Sequence, residues 1–404
     1  MAAVYAHPLA ALYMEPTYSW DSDDTYVGQQ SAFEHAALCA PAVVGGGEAG
    51  NAVATQPWDP LRFELVSKLM DAVRNSGQVL LMYDHLEGRH VAGKRIPNEW
   101  ICTCAEEFAL EHPEEVERPW VDIFLLARLN ASSFPYACGL VGVFRDDSST
   151  YVVTELASEG DLFTFCGSPS GISEDPGLVR EARMLPIIMQ ILDSVRRLHC
   201  MGIAHGDLSL ENILLTRCGA EGELAVRVID FGMSTLNRFR TEVVGKPSYQ
   251  APEMDGCTVY DGFQADAFSL GIVFFALLMR DYPWASTRPG ECRCFTAFRV
   301  LGFRRFVAKR PLRGSKAKVI ERMSEPMARL LEGLLAVDPE ERLSLFDTAA
   351  FGCGTERATV WQDPLVQCFH APAAGQAPGG ASATDLCRSG HSAQGVDLAR
   401  ACMA

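Results

Sequence analysis

The chain has 404 residues, of which 48% are hydrophobic and 9% aromatic, so it can bury a sizeable core and does not have the composition of a disordered protein. Its formal net charge of −16 argues against general binding to nucleic acid or to an anionic membrane, which requires clustered Lys and Arg. The first residues lack the basic segment of a secretory signal, and with fourteen cysteines this leads us to expect reduced thiols in the cytosol or the nucleus.

Composition changes near both ends of the chain. Residues 1–57 and 351–404 are rich in Ala, Gly and small polar residues without a periodic apolar pattern, which predicts flexible tails. Between them we expect an α+β protein with two lobes. Residues 58–157 form a small, antiparallel β-rich lobe with a hinge, and residues 158–350 form a larger, mainly helical lobe. A ligand site is then expected in the crevice between the lobes.

Hydrophobic periodicity predicts the elements of this middle region in chain order. The runs "RFELVSKLM" and "GQVLLMYDHLEGRHVAGKRI" contain β-rich segments and Gly-containing turns, and therefore predict antiparallel strands. "RPWVDIFLLARLN" has apolar residues at helical spacing, and "LVGVFRDDSSTYVVTELA" reads as a hairpin. A long helix is predicted over "REARMLPIIMQILDSVRRLHCMG". The apolar stretch 267–279 is too short to span a bilayer and predicts a buried core helix.

Five short motifs follow one another in the second half of the chain. His205, Asp207 and Asn212 have the spacing H-x-D-x₄-N, and Asp230 and Gly232 follow in "VIDFG" after a segment that predicts a hairpin. The other three motifs are "APE" at 251–253, "DAFSLG" at 266–271 and "DPEER" at 338–342. Because five motifs occur in one order at compatible spacings, the chain resembles the eukaryotic protein kinase family over roughly residues 61–350.

The resemblance implies a bilobal protein-kinase-like fold and an enzyme that uses ATP and Mg²⁺. It assigns Asp207 to orient the substrate hydroxyl and accept its proton. It assigns Asn212 and Asp230 to hold Mg²⁺, for which hard carboxylate and amide oxygens are suitable ligands. Three further positions are implied to be scaffold. Glu253 and Arg342 would form a buried ion pair, and Asp266 would support the catalytic loop, which we define as residues 205–215.

The resemblance also implies a nucleotide site between the lobes. "VAGK" would carry the ATP-binding lysine, Lys94, because Val79 precedes it by fifteen residues and Gly77 precedes Val79 by two, as in the glycine-rich loop of the family and the strand after it. The other implied positions are Val79 and Ala92 above the adenine, Leu214 below it, Thr154 at its back, Glu155 to Ala157 as the hinge, and Asp161 near the ribose or a basic substrate residue.

The small lobe departs from the family pattern at two places. Ala72 and Arg74 replace the first two glycines of G-x-G-x-x-G, which should loosen or reshape the grip on phosphate, with Arg74 either contacting a phosphate or lying in solvent. Counting back from "FPYACGLVGVF", Asp122 falls where the family has the glutamate that pairs with the lysine. Aspartate is one methylene shorter, so its helix would need to sit closer to Lys94. Glu117 is the other candidate.

The catalytic loop lacks a lysine that the family places two residues after the catalytic aspartate. Ser209 stands there, and Lys246 stands at the threonine position of the later segment, "GKPSYQAPE". We hypothesise that hydroxyl and ammonium have traded places, so that Lys246 reaches back beside Asp207, with Ser209 as its neighbour, and supplies the missing charge. The alternative is that Lys246 is a solvent-facing loop residue.

Gly206 replaces an arginine that grips a phosphate on the activation segment in the family. The segment from Asp230 to Glu253 is also short, so we expect a loop ordered by packing and an activity that does not depend on its phosphorylation. Modification is left open at two threonines with two arginines near them: Thr235, Thr241, Arg238 and Arg240.

Three functions remain open. "YQAPE" resembles Ser/Thr kinases, which favours a kinase for Ser/Thr hydroxyls of protein substrates, and Asp161 and Glu211 leave a preference for basic substrates open. The alternative is a pseudokinase that binds partners or nucleotide without transferring phosphate, and a non-protein kinase of related fold is a third reading. The positions that favour the pseudokinase are Ala72, Arg74, Asp122, Gly206 and Ser209, and those against it are Lys94, Asp207, Asn212 and Asp230.

Overall fold

The computed structural model describes residues 53–72, 76–101, 105–167, 176–219, 222–256, 259–346 and 357–370. A six-stranded sheet forms the small lobe, in the order β1-β5-β6-β4-β3-β2. β1 pairs in parallel with β5, and the other neighbouring strands are antiparallel. The strands are β1 (Thr55–Pro57), β2 (Phe63–Ala72), β3 (Gly77–Asp84), β4 (Arg89–Pro97), β5 (Leu140–Arg145) and β6 (Ser149–Glu155).

Two helices accompany this sheet, α1 (Ala105–Glu111) and α2 (Pro119–Ala131). The second helix begins with a proline at its first position, where the missing N–H costs nothing. All of its first eight residues are buried, including Trp120 and Asp122. Burial on this scale fixes the helix against both the sheet and the large lobe, and so fixes the side chains that it presents to the crevice.

The large lobe is mainly helical. Its helices are α3 (Leu162–Gly167), α4 (Leu178–Cys200), α5 (Gly262–Met279), α6 (Arg293–Leu301), α7 (Phe303–Lys309), α8 (Glu325–Leu334) and α9 (Pro364–His370). Its short strands are β7 (Gly160–Asp161), β8 (Ile213–Cys218), β9 (Glu223–Val228), β10 (Phe239–Arg240) and β11 (Tyr260–Asp261). They form a three-stranded sheet, β7-β8-β9, and a two-stranded one, β10-β11.

Helix α5 lies at the centre of this lobe. It is the one helix of the described residues that is long and apolar enough to cross a membrane, and every residue of it is buried inside the protein. Asp261 caps its N-terminus by accepting a hydrogen bond from the backbone N–H of Phe263 at 3.0 Å. The predicted core helix is therefore present, and it runs from residue 262 rather than from 267.

The bilobal α+β fold predicted from the sequence is confirmed, as are the hairpins β5-β6 and β8-β9 and the helix α2. The inner ends of the two predicted tails need correction. Strand β1 lies within 1–57, because its three residues pair with β5. Helix α9 lies within 351–404, because Val360 and Leu365 are buried against the large lobe. Residues 1–52 and 371–404 lie outside the described part of the chain.

Candidate active site

Lys94 lies at the centre of a cluster of carboxylates in the crevice. Its Nζ lies 2.9 Å from Oδ2 of Asp122, 3.2 Å from Oδ1 of Asp230 and 3.6 Å from Oε1 of Glu117. Burial works against the charged form of Lys94, but the three carboxylates outweigh it and hold the pKa of Lys94 well above its usual value. The lysine is therefore a fixed positive charge at any physiological pH.

Asp122 and Glu117, the two candidates for the partner of Lys94, both reach it, and Asp122 is the closer. While Oδ2 of Asp122 accepts from Lys94, its Oδ1 accepts a hydrogen bond from the backbone N–H of Phe231 at 2.9 Å. The short side chain thus joins helix α2 both to β4 and to the segment that carries Asp230. Close approach of helix and segment makes this possible, since the backbone N–H of Arg118 donates to the carbonyl of Gly232 at 2.8 Å.

Asp207 and Asn212 form the second pair in the crevice. The amide of Asn212 donates to the backbone carbonyl of Asp207 at 2.7 Å and to its Oδ2 at 3.0 Å. This contact fixes the orientation of the Asp207 carboxylate and leaves the amide oxygen of Asn212 for another ligand. Asp230 has a left-handed backbone, with φ of 66°, which turns its carboxylate towards Lys94.

The catalytic loop is held from below by Asp266 of helix α5, as predicted for a scaffold residue. Its carboxylate accepts hydrogen bonds from the backbone N–H groups of His205 at 2.8 Å and Gly206 at 2.9 Å, and it contacts Nε2 of His199 at 3.0 Å. Burial would raise the pKa of Asp266, but its hydrogen bond with His199, its electrostatic interactions with His199 and His205, and the Gly206 hydrogen bond hold this pKa below the usual range.

The second predicted scaffold contact is also present. Arg342 is fully buried, and its guanidinium forms a two-pronged ion pair with Glu253, at 2.5 and 2.9 Å. The guanidinium also lies over the ring of Phe268, 4.9 Å from the ring centroid. This contact ties the end of the activation segment to the core of the large lobe.

Asn212 and Asp230 carry the amide and carboxylate oxygens that suit Mg²⁺. Three carboxylates surround the single ammonium of Lys94, so this cluster has surplus negative charge that a divalent cation would neutralise. Within the described residues, no group of three or more His, Cys, Asp or Glu side chains forms a complete metal site. The two oxygen donors of Asn212 and Asp230 suit an ion that completes its shell with phosphate and water, as Mg²⁺ does.

The residues predicted around the adenine lie on paired strands. In the register of the small-lobe sheet, Val79 of β3 stands opposite Lys94, and Ala92 of β4 stands opposite Thr154. Leu214 of β8 pairs with Asp161 of β7. Gly77 is buried at the start of β3, opposite Ala72. Arg74 lies outside the described residues.

Two acidic residues of the predicted nucleotide site, Glu155 in the hinge and Asp161 in β7, already have partners. Glu155 contacts Nε of Arg227 at 3.1 Å through Oε1. Asp161 accepts hydrogen bonds from the backbone N–H of Thr164 at 2.7 Å and from its hydroxyl at 2.8 Å, which is the contact of a helix cap on α3. The carbonyl of Ala157 accepts from the N–H of Gly160 at 3.3 Å. Sequence reasoning missed Arg227, because its contact with Glu155 spans 72 positions.

Lys246 contacts the predicted neighbour and one further residue. Its Nζ donates to the hydroxyl of Ser209 at 2.7 Å and lies 3.0 Å from Oε2 of Glu211. The preceding residue, Gly245, has φ of +80°, and a Cβ there would lie 2.8 Å from the carbonyl oxygen of Gly206. This segment therefore packs directly on the catalytic loop. Glu211, considered for a substrate arginine, shares its carboxylate with Lys246.

The space that a side chain of residue 206 would occupy is filled by Arg240. Its φ is +80°, and a Cβ would lie 2.6 Å from Nη1 of Arg240 and 2.7 Å from the carbonyl oxygen of Met233. Arg240 is buried and donates from Nη1 to that carbonyl at 2.9 Å. Arg238, the other arginine near the two threonines, contacts Asp261 at 2.6 Å. Both arginines are thus already engaged.

A bilobal α+β fold whose crevice holds a lysine–carboxylate pair and an aspartate–asparagine pair is the fold of the protein kinases, and the comparisons with known proteins agree. The protein kinase domain matches residues 75–350, which is more than half of the chain, so the chain belongs to this family.

Three relatives are kinases by name, and two of them are named as Ser/Thr kinases. The chain is 32% identical over 247 residues to testis-specific serine/threonine-protein kinase 5 of Mus musculus, and the match covers 59% of each protein. It is 32% identical over 199 residues to serine/threonine-protein kinase SAPK3 of Oryza sativa subsp. indica, covering 48% of this chain and 53% of the relative. It is 34% identical over 167 residues to NUAK family SNF1-like kinase 2 of Rattus norvegicus, covering 40% and 24%. Each match spans less than two thirds of the relative.

Proposed function

We propose that the protein transfers the γ-phosphate of ATP to Ser and Thr hydroxyls of protein substrates with the help of Mg²⁺. The observation that carries this proposal is the pairing of Lys94 with Asp122 at 2.9 Å in the same crevice where Asn212 orients Asp207 at 3.0 Å. Phosphoryl transfer asks a protein mainly for positioning and charge stabilisation, and these two pairs provide both.

These side chains then take different parts in the reaction. Lys94 contacts the phosphates of ATP and is held in place by Asp122. Asp207 orients the acceptor hydroxyl and takes its proton, with its carboxylate fixed by Asn212. Asn212 and Asp230 would hold Mg²⁺, which neutralises phosphate charge when it is bound.

Lys246 is the further positive charge of the proposed site. Its hydrogen bond to Ser209, two residues after Asp207, and the packing of Gly245 on the catalytic loop support this role. The ammonium is shared with Glu211 at 3.0 Å, so it has to turn from this carboxylate to the phosphate during the reaction. A lysine on a flexible stem can move in this way.

The activity is proposed to be independent of phosphorylation of the activation segment. Strand β10 of this segment pairs with β11, and Arg238 is bound to Asp261 beside it. The strand pairing uses backbone groups and the ion pair uses side chains of the unmodified protein, and both tie the segment to the start of helix α5. The segment therefore has an ordering mechanism that needs no phosphate.

The rival proposal is a pseudokinase that responds to nucleotide without transferring phosphate. The Lys246–Glu211 ion pair favours it, because a lysine that stays on Glu211 contributes no charge to the reaction. Ala72 favours it as well, because the backbone of a glycine at this position approaches phosphate more closely.

Phosphate transfer from labelled ATP separates the two proposals. The assay contains Mg²⁺, the protein and a mixture of basic proteins, and it is run beside Asp207→Asn. Transfer that is lost in Asp207→Asn supports the kinase. No transfer by either protein, with ATP still raising the melting temperature of both, supports the pseudokinase.

A further inference from the structure

Glu242 lies between two arginines that come from different parts of the fold. Its Oε1 lies 3.0 Å from Nη2 of Arg118, and its Oε2 lies 3.7 Å from Nη2 of Arg240. Arg118 and Glu242 are 124 positions apart in sequence, so the contact closes a long loop of the chain. One carboxylate thus has a cation at each of its two oxygens.

Each arginine belongs to a different half of the active site. Arg118 is the N-cap residue of α2, the helix that carries Asp122, and its backbone N–H is bonded to Gly232 beside Asp230. Arg240 is buried beneath the catalytic loop, where its Nη1 takes the space next to Gly206. A contact that joins Arg118 to Arg240 therefore connects the helix that holds the Lys94–Asp122 pair to the loop that holds the Asp207–Asn212 pair.

The main chain at Glu242 is also fixed. The hydroxyl of Tyr260 donates to the backbone carbonyl of Glu242 at 2.6 Å. Tyr260 stands opposite Arg240 in the β10-β11 ladder, so the acid and one of its arginines share a support. This hydrogen bond holds the Glu242 backbone in place independently of its side chain.

We propose that Glu242 is a positioning residue, whose carboxylate joins helix α2 to the catalytic loop through Arg118 and Arg240. Its role in phosphate transfer rests on the proposed kinase activity. The carboxylate supplies, from the chain itself, the negative charge that keeps the two arginines together. Because Glu242 and Arg118 are partly exposed, each contact is modest, and the expected effect is on local order rather than on the stability of the whole fold.

Hydrogen exchange and steady-state kinetics on the full chain test this proposal. Glu242→Gln keeps the shape of the side chain and removes its charge. Peptides that cover residues 235–249 should exchange about fivefold faster than in the wild type, the change that about 1 kcal/mol of lost stabilisation produces. In the same variant kcat should fall about fivefold while KM for ATP is unchanged, and Glu242→Asp should recover part of both losses.

The matched control is Glu325→Gln, which removes a surface acid bound to Arg304 at 2.6 Å on the large lobe. This variant should have the hydrogen-exchange rates and the kcat of the wild type. Arg118→Met should resemble Glu242→Gln, and combining the two should add little, because both remove the same link.

Wild-type exchange in Glu242→Gln, or fully additive effects in the double variant, would overturn the proposal. If the wild type transfers no phosphate, the proposed function fails by itself. The exchange rates of Glu242→Gln and Arg118→Met then still decide whether Glu242 joins helix and loop.

Discussion

Asp122 binds Lys94 at 2.9 Å, although it is one methylene shorter than the glutamate that the family pattern has at this position. The second oxygen of the same carboxylate accepts the N–H of Phe231, so the shorter side chain is held at both ends. The Lys94 pair is therefore present with the shorter side chain, on a helix whose first turn is bonded to Gly232 through the N–H of Arg118.

Removing the charge of Asp122 should reduce activity strongly. Asp122→Asn deprives Lys94 of its nearest counter-charge, and we expect kcat/KM to fall on the order of tenfold to a hundredfold. Glu117→Gln is the matched comparison, because Glu117 lies 3.6 Å from the same ammonium. Its replacement should lower kcat/KM less than Asp122→Asn does. Steady-state kinetics of the two variants show which carboxylate is the functional partner of Lys94. A larger fall in kcat/KM for Glu117→Gln than for Asp122→Asn would assign that role to Glu117.

Lys246→Met should lower kcat on the order of tenfold, because it removes a mobile positive charge beside the catalytic loop while keeping an unbranched side chain. Lys309→Met, at an exposed position at the end of α7, serves as the control and should be silent. Turnover of both variants is measured at saturating ATP. Unchanged turnover in Lys246→Met would show that Lys246 is an ordinary loop lysine.

A side chain at Gly206 should destabilise the fold more than one at Gly202. Both glycines have a left-handed backbone, with φ of +80° and +76°, so an alanine at either should cost about 1–2 kcal/mol from strain. At Gly202 a Cβ meets no atom within 4 Å, whereas at Gly206 it meets Arg240 and Met233. Overpacking should add about 1–3 kcal/mol to the cost of Gly206→Ala. Urea unfolding gives the loss in free energy of unfolding for both variants. Equal losses would mean that the contacts with Arg240 and Met233 do not add to the cost of a side chain at position 206.

The stability that Asp266 provides should depend on pH in one direction. Because the pKa of Asp266 is lower in the folded protein, its contribution is present above the unfolded value of about 4 and is lost as the pH falls through the folded pKa. Asp266→Asn should therefore cost about 3 kcal/mol at neutral pH and less below about pH 4. Urea unfolding of both proteins across this range tests the sign. If the difference in free energy of unfolding between the wild type and Asp266→Asn grew as the pH fell, the predicted direction would be wrong.

Phosphatase treatment should leave the activity unchanged, because contacts such as Arg238–Asp261 already order the activation segment. Thr235→Ala and Thr241→Ala should likewise keep most of the turnover. Complete dephosphorylation is checked by mass spectrometry before the assay. A large loss that returns on rephosphorylation would show that a phosphate is required after all.

Much of the fold could be predicted from the sequence, because its signals are local. The two apolar runs that "RDDSS" separates in "LVGVFRDDSSTYVVTELA" predict the β5-β6 hairpin, which is present. The spacing from Val79 to Lys94 places both on neighbouring strands, where they stand opposite each other. Strand β1 gave no such signal, because three residues are too few for a periodicity and its pairing with Val143 is decided by tertiary contact.

The part of the site that could not be predicted depends on contacts over long sequence distances. The pattern around Gly206 indicated a lost phosphate receptor, whereas the structure has the guanidinium of Arg240 in that space. Nothing local in the sequence relates Arg118 to Glu242, since only the packing of helix α2 on the activation segment brings them together. Sequence motifs report which residues are present, and the spatial arrangement decides how their charges are shared.

The clash between a side chain at 206 and Arg240 also constrains how such sequences can change. An arginine could return at position 206 only if Arg240 left its buried place, and a chain that lost Arg240 alone would keep an empty space beside Gly206. Neither single replacement leads to a well-packed intermediate. Among proteins that share this arrangement, we expect arginine to occupy one of the two positions and not both, so that evolutionary steps at 206 and 240 are made together.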